Sequence, residues 1–392
     1  MVNKERLPSF DNPEEIKLTS TERLTIASSP FAPPYSNSDL SSLLPEHQKD
    51  LANEIIAGTG MPRRFLRYLD SMSSPEQIVD DAVTAICTLV ESAMKEQGWK
   101  HLDHLIVTSA FLPTQISRLA LRNLNMSEIS DHDYRLACAG AVTGFVDSLL
   151  NEHLAGKNVA LVSAEPLSAL IDERHFTPEN LHIPAIFGDM YSVLCYNTSD
   201  FIIPHDENGP LAKVVFIPDH GVIKLTPWYQ LKKNEGKIPP YYQFAEGAKE
   251  ITSIDSNEVI MALFGPDQGL RVSMNGQATA KHFIRHTPPI IREILERSFR
   301  MNVLPSQAVY HQPSQPVNQG IERALGRNSP FPLPPMKFTL GEIGQSNSSS
   351  ATSIIAWQAL IERNLFNHQE PFLICAPGIG SAITAATIIP KT

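Results

Sequence analysis

Cys138 stands in the stretch Asp133-Tyr-Arg-Leu-Ala-Cys-Ala-Gly-Ala-Val-Thr-Gly-Phe-Val-Asp-Ser-Leu-Leu150, between small residues and directly ahead of an apolar run. Small neighbours at Ala137, Ala139 and Gly140 let a substrate approach the backbone. A thiol becomes a nucleophile only as the thiolate, and the positive end of a helix dipole lowers its pKa and offers N–H groups to an anion. The chemistry this placement offers is covalent capture of an electrophile. The competing reading is a packed small hydrophobe, the usual fate of a buried cysteine. The rest of the chain has to decide between the two.

The positioning elements follow from the apolar spacing. Val142, Phe145, Val146, Leu149 and Leu150 give the segment after Cys138 a helical period with a buried face. Pro75–Gln97 reads as an amphipathic helix with Ser74 as its N-cap. His104–Ala110 and Asn158–Ala164 are short, nearly continuous apolar runs, the kind found in strands of a mainly parallel sheet covered on both faces. Ile186–Tyr196 is a glycine turn leading into another strand. Helix and strand in alternation indicate an α/β layer protein.

The last third repeats this order. Ala308–Pro313 reads as a strand ending in a polar turn, Asn347–Leu360 as a small-residue lead into an amphipathic helix, and Pro371–Gly380 as a strand ending in a glycine turn. Two βα-rich halves, 17–205 and 206–392, packed as a pseudo-duplicate would set the helix starts at Cys138 and Asn347 side by side. Residues 1–16 read as a polar extension, Gln230–Gln243 as a surface insertion, and Pro288–Met301 as a helix with proline in its first turn.

Composition narrows the function classes. A chain of 392 residues with 42% hydrophobic content can bury a large core. Its apolar runs are too short and interrupted to span a bilayer, and its polar first residues lack an apolar signal segment, so a cytoplasmic location is expected. The formal charge of −10 argues against nucleic acid as a main partner. The four cysteines are far apart and show no metal spacing, which points to thiols with no disulfide framework or zinc site.

Three motifs then resemble, in order and separation, those of the 3-oxoacyl-acyl-carrier-protein synthase III family of thiolase-fold condensing enzymes. They are Ala137-Cys138-Ala-Gly140, Tyr310-His311-Gln312-Pro313 and Ser346-Asn347-Ser-Ser349. Thr59-Gly60-Met61 with Arg63 and Arg64, Phe187-Gly188-Asp189, Met274-Asn275-Gly276 and Gly378-Ile-Gly380 also match, so the resemblance runs over roughly residues 18–390. It implies a layered α-β-α-β-α architecture and a homodimer. It also implies acyl-CoA or acyl-carrier-protein thioesters as substrates, with no permanently bound cofactor and no metal.

Under that resemblance Cys138 holds an acyl group, and the backbone N–H groups of Cys138 and Ile379 form the oxyanion hole. His311 and Asn347 stabilise the enolate left when a malonyl-type thioester loses CO2. The implied reaction is a decarboxylative Claisen condensation in fatty-acid or polyketide-like metabolism. The alternative is transfer of the Cys-bound acyl group to an oxygen or nitrogen nucleophile, with His311 as base.

Departures from the family pattern bear on the substrate. Glu54 and Gly58 stand where the family carries the Trp and Arg that hold adenine, so the donor is either presented on a carrier protein or bound in another way. Met190-Tyr-Ser192 replaces small residues after Phe-Gly-Asp and would reshape an acyl tunnel. These changes, with Trp228, Tyr229, Tyr241 and Tyr242 placed near an entrance, point to a specialised-metabolism relative. Lys281, Arg285, Arg292, Arg297 and Arg300, with Lys232, Lys233 and Lys237, are either a docking surface for an acidic carrier or a solvated helix face.

Overall fold

The computed structural model describes residues 16–69, 73–113, 115–171, 175–217, 241–244, 274–327, 329–378 and 382–391. The extension expected over 1–16 therefore lies outside the described residues except for Ile16, as does 230–240 of the expected insertion.

The first sheet is built from β1 (Lys17–Ser20), β2 (Leu24–Ser29), β5 (His104–Thr108), β6 (Ser130–Tyr134), β7 (Asn158–Glu165) and β8 (Met190–Asn197) in the order β1-β2-β8-β7-β5-β6. Between β2 and β5 lie the small ribbon β3 (Pro34–Ser36) and β4 (Arg63–Phe65) and the helices α1 (Asn37–Ser42), α2 (Lys49–Gly58) and α3 (Pro75–Gln97). Further along come α4 (Ile116–Asn123), α5 (Gly140–Leu150) and α6 (His182–Ile186). Ser74 caps α3 as expected, accepting from the Gln77 N–H at 3.3 Å.

The second sheet runs β13-β12-β16-β15-β14, with β9 (Phe201–Ile202) on β16 and the pair β10 (His205–Asp206) and β11 (Gly209–Pro210) beside it in sequence. Its strands are β12 (Ala212–Phe216), β13 (Tyr242–Phe244), β14 (Gln307–Tyr310), β15 (Phe372–Pro377) and β16 (Ala382–Pro390). Its helices are α7 (Gly276–Arg300), α8 (Gln315–Gly326), α9 (Leu340–Ile343) and α10 (Ala351–Glu362).

The two sheets repeat one topology. The run β2-β8-β7-β5 is antiparallel, antiparallel, then parallel, and β12-β16-β15-β14 has the same senses in the same order. Both sheets are thus mixed. The expectation of mainly parallel sheets was drawn from buried apolar runs, but a strand covered on both faces looks the same whichever way its neighbour runs.

Strand alternation then makes five layers. On β5, Leu105 and Val107 face the α3 side while Ile106 faces inward. On β15, Leu373 and Cys375 face α7 and α8, and Phe372, Ile374 and Ala376 face inward. Between the sheets lie α5 and α10, joined by Phe145 against Trp357 at 5.6 Å. A helix between two sheets has no solvent face, so α10 is buried at every position from Ala351 to Leu360 rather than amphipathic.

One helix boundary differs by three turns. Helix α7 starts at Gly276, capped by the Asn275 side chain accepting from the Ala278 N–H at 3.0 Å, and Pro288 and Pro289 lie inside it. Each proline removes one backbone donor, but Thr279, His282 and Phe283 before them are buried, and this packing carries the helix through.

Candidate active site

Cys138 lies in a single 3-10 turn, Ala137–Ala139, between β6 and α5. Ala137 has φ +43°, a left-handed conformation that costs energy in a residue with a side chain. The second half repeats the device: Ser349 has φ +48° one residue before Ser350, from which α10 departs. The two helix starts touch, since a Cβ placed on Gly140 would lie 3.6 Å from Ser350 Cβ. The adjacency expected from the sequence is therefore present.

A cavity of about 820 Å³, in the size range of small-molecule sites, reaches Cys138. Its wall includes Ala137, Cys138, Pro313, Ser314, Asn347 and Ser349, and much of the remainder is apolar, with Ile55, Leu167, Ile171, Ile186, Met274 and Phe283. Gly58 lines it and Glu54 is exposed one residue before the lining Ile55.

Asn347 is fixed on both sides. Its backbone bridges to the loop before β8, donating to Ile186 O at 3.0 Å and accepting from the Gly188 N–H at 3.2 Å. Its Oδ1 accepts from the Ser349 N–H at 2.9 Å and the Thr352 hydroxyl at 3.2 Å, which leaves Nδ2 to donate to Pro313 O at 3.2 Å. The residue is thus the pivot of a turn three residues ahead of the helix cap, and one amide N–H remains for a ligand.

His311 follows β14 and donates its backbone N–H to Cys375 O at 2.8 Å. Its ring is fully buried and, among the described residues, is not part of the cavity lining and has no hydrogen bond at either nitrogen. Burial pushes its pKa down to about 3, opposed only by the nearby Ser349 backbone, so the imidazole is neutral at physiological pH. The structure thus puts Cys138 and Asn347 on one cavity wall and His311 behind Ser349 of that wall. Ile379 lies outside the described residues.

Several residues singled out in the sequence have other work. Asp189 is a buried turn anchor, accepting from the N–H groups of Ser168 and Arg67 at 2.6 Å each, and burial raises its pKa to about 6. Arg64 is buried and donates to the carbonyls of Met61 and Ala185. Met190 and Tyr191 point into the core from β8. Tyr241 and Tyr242 are not at the cavity: their hydroxyls reach Asp147, toward the opposite end of α5 from Cys138, at 3.1 and 2.5 Å. Of the basic residues, Arg297 is paired bidentately with Asp206 and Arg292 donates to carbonyls at the end of α8, so neither is open to a carrier. Lys281 and Arg285 are exposed on α7, and Lys232, Lys233 and Lys237 lie outside the described residues.

Sequence reasoning missed one group. Glu165 closes β7 with its carboxyl fully buried, held by Ala110 and Ser350. The available signal was an acid at the end of the otherwise apolar strand Val-Ala-Leu-Val-Ser-Ala-Glu, where a charge is costly unless something holds it.

No family model and no curated protein matches this chain. Solved structures do. The 3-oxoacyl-[acyl-carrier-protein] synthase III of Aquifex aeolicus superposes with a TM-score of 0.61 at 17% identity, over 95% of this chain and 99% of that one. The 1,3,6,8-tetrahydroxynaphthalene synthase of Streptomyces coelicolor, a bacterial type III polyketide synthase, gives 0.65 at 13% identity over 94% and 99%. A priming β-ketosynthase from a polyketide biosynthetic pathway gives 0.61 at 16% identity over 99% of both chains. At these identities the likeness shows the fold: the chain is an α/β protein with the architecture these condensing enzymes share, the layered thiolase fold.

Proposed function

We propose that the protein is a 3-oxoacyl synthase that forms a carbon–carbon bond by decarboxylative Claisen condensation on Cys138. The observation that carries the reading is the cavity wall that presents a helix-start cysteine beside an oriented asparagine amide, with a neutral histidine directly behind.

The first step is acyl capture. Cys138 Sγ bonds to the carbonyl carbon of an acyl thioester while the donor's C–S bond breaks, and the departing thiolate takes up the proton that Cys138 lost. The second step is condensation. The bond between the extender's carboxylate and its α-carbon breaks, CO2 leaves, and the electron pair forms an enolate. The α-carbon then bonds to the acyl carbon and expels the Cys138 thiolate, which regains a proton. In the interval the enolate oxygen needs neutral donors aimed at it. The second Asn347 N–H at the cavity wall is one, and His311, which keeps one ring proton and does not titrate near neutral pH, would be the other where the substrate reaches the ring beside Ser349. A histidine with a pKa near 3 is a poor general base at pH 7, which weighs against transfer to an oxygen or nitrogen nucleophile.

The substrates that fit this reading are an acyl thioester and a malonyl-type thioester, carried on coenzyme A or an acyl carrier protein, and the assembly that fits it is a homodimer. The apolar cavity suits the acyl part. Ile379 would contribute the second oxyanion-hole N–H, together with that of Cys138.

Intact-mass analysis after incubation with acyl-CoA and acyl-carrier thioesters tests the proposal. Wild type should gain one acyl mass that Cys138→Ala does not, and a malonyl thioester should then remove it with release of CO2 and a 3-oxoacyl product. His311→Ala should acylate and stall. Product formation by Cys138→Ala at the wild-type rate would sink the mechanism.

A further inference from the structure

Glu165 joins the two halves of the molecule at the site. It ends β7 of the first sheet, and its carboxyl lies at the N-terminus of α10 from the second half. One oxygen accepts the Ala110 N–H at 2.9 Å, and the other accepts the Ser350 N–H at 3.2 Å and the Ser350 hydroxyl. Because Ser350 gives its only hydroxyl proton to the carboxylate, Thr108, at 2.7 Å, and Ser163 donate to Ser350 Oγ. Each of these bonds can run toward Glu165, the arrangement an ionised acceptor takes. The cap residue Ser350 makes no side-chain cap bond of its own, so the carboxylate supplies the negative charge at that helix start.

The turn so anchored is the one that carries the chemistry. Ser349, next to Ser350, is held at φ +48°, donates its N–H to Asn347 Oδ1, and sets its backbone against the His311 ring. A serine in that conformation persists only where its neighbours over-determine it.

We propose that Glu165, as the carboxylate, is a positioning residue for the decarboxylating half-reaction: it locks the Asn347–Ser350 turn so that Asn347 and His311 are aimed at the enolate. The inference rests on the condensation proposed above.

Few charges face Glu165. Arg135, buried just beyond β6, is attracted to it but donates to the Tyr134 and Pro113 carbonyls, and Asp133 lies beside Arg135. The start of α5 contributes Cys138 and the end of β14 the neutral His311. The turn after β5 and α10 up to Ile361 contribute no charged side chain. Burial raises the Glu165 pKa to about 7, against 4.5 ordinarily. The folded pKa lies above the unfolded one, so this acid's contribution to stability is full below pH 4.5 and is lost as pH rises to 7.

The test is Glu165→Gln, compared with wild type in both half-reactions. At pH 8 the variant, whose amide N–H must face a backbone N–H, should melt somewhat below wild type yet acylate Cys138 within about threefold of it. Condensation should fall by at least ~10-fold, as expected when catalytic groups lose their aim. Wild-type condensation should decline with a one-proton limb near pH 7, which Glu165→Gln lacks and Glu165→Asp partly restores. If Glu165→Gln does not fold, Ser350→Ala, which keeps the backbone N–H, takes its place and should also lose condensation ahead of acylation. A variant that condenses at the wild-type rate with the wild-type pH limb overturns the inference, as does an equal loss in both half-reactions. Wild type that never takes an acyl group on Cys138 sinks the proposed function itself, a distinct outcome.

Discussion

The Asn347 amide has no freedom to turn, because Oδ1 is held by two donors and Nδ2 by Pro313 O. Asn347→Asp keeps the shape, removes both N–H donors and sets a charge against a developing enolate. Condensation should fall at least ~100-fold, the scale of losing one oxyanion donor, while acylation of Cys138 continues, as single-turnover assays would show. His311 makes a separate prediction. Its folded pKa near 3 lies below the ordinary 6.5, so the unfolded chain takes up a proton the folded one refuses, and stability falls as pH falls from 6.5 toward 3. Glu165, Asp147 and Asp189, whose pKa values burial raises, act in the opposite sense. On going from pH 7 to pH 4.5 the denaturant midpoint of His311→Gln should therefore shift upward relative to that of wild type, and an identical pH response in the two proteins would refute the assignment.

At the level of elements, the loop before β8 holds the Asn347–Ser350 turn from outside. Phe187 and Asn347 form an isolated parallel bridge, and a Cβ on Gly188 would meet Ser346 Oγ at 2.3 Å and the Phe65 backbone nitrogen at 3.0 Å. Gly188→Ala must push these apart, so it should cost about 1–3 kcal/mol as an overpacking change and slow condensation. Thermal melts and product assays on the same preparation check both parts. Ser74→Ala is the control far from the site. It removes the cap of α3, should cost about 1 kcal/mol, and should leave turnover alone.

Across the whole molecule, Asp147 ties the layers together. It sits on the central helix α5, half-buried, and accepts hydroxyls from Tyr134 on the first sheet at 2.7 Å, from Tyr242 on the second, and from the adjacent Tyr241. Burial raises its pKa to about 6, above the ordinary 3.8, so its ionisation subtracts stability as pH rises between those values. Asp147→Leu leaves the hydroxyls of the buried Tyr134 and Tyr242 and of the half-buried Tyr241 without their acceptor and should destabilise by several kcal/mol, at about 1–3 for each buried orphaned group. A denaturant midpoint unchanged from wild type would count against that linkage.

The sequence by itself determined the elements and the motif spacing. Apolar period gave α3, β5, β7 and the start of α5, because burial of one face or of both is written locally in residue order. The likeness between the lead into Cys138 and the lead into Asn347 was legible too, since small residues before a buried helix are a local pattern. Non-local pairings were not legible. The mixed sense of the sheets, Tyr241 and Tyr242 on Asp147, Arg297 on Asp206, and the passage of α7 through Pro288 and Pro289 each depend on residues tens to hundreds of positions apart. Glu165 shows the limit most clearly. As one acid at a strand end it reads as a surface residue, and only the fold, by closing Ala110 and Ser350 over it, makes it a buried carboxyl at the start of α10, beside the Asn347–Ser350 turn.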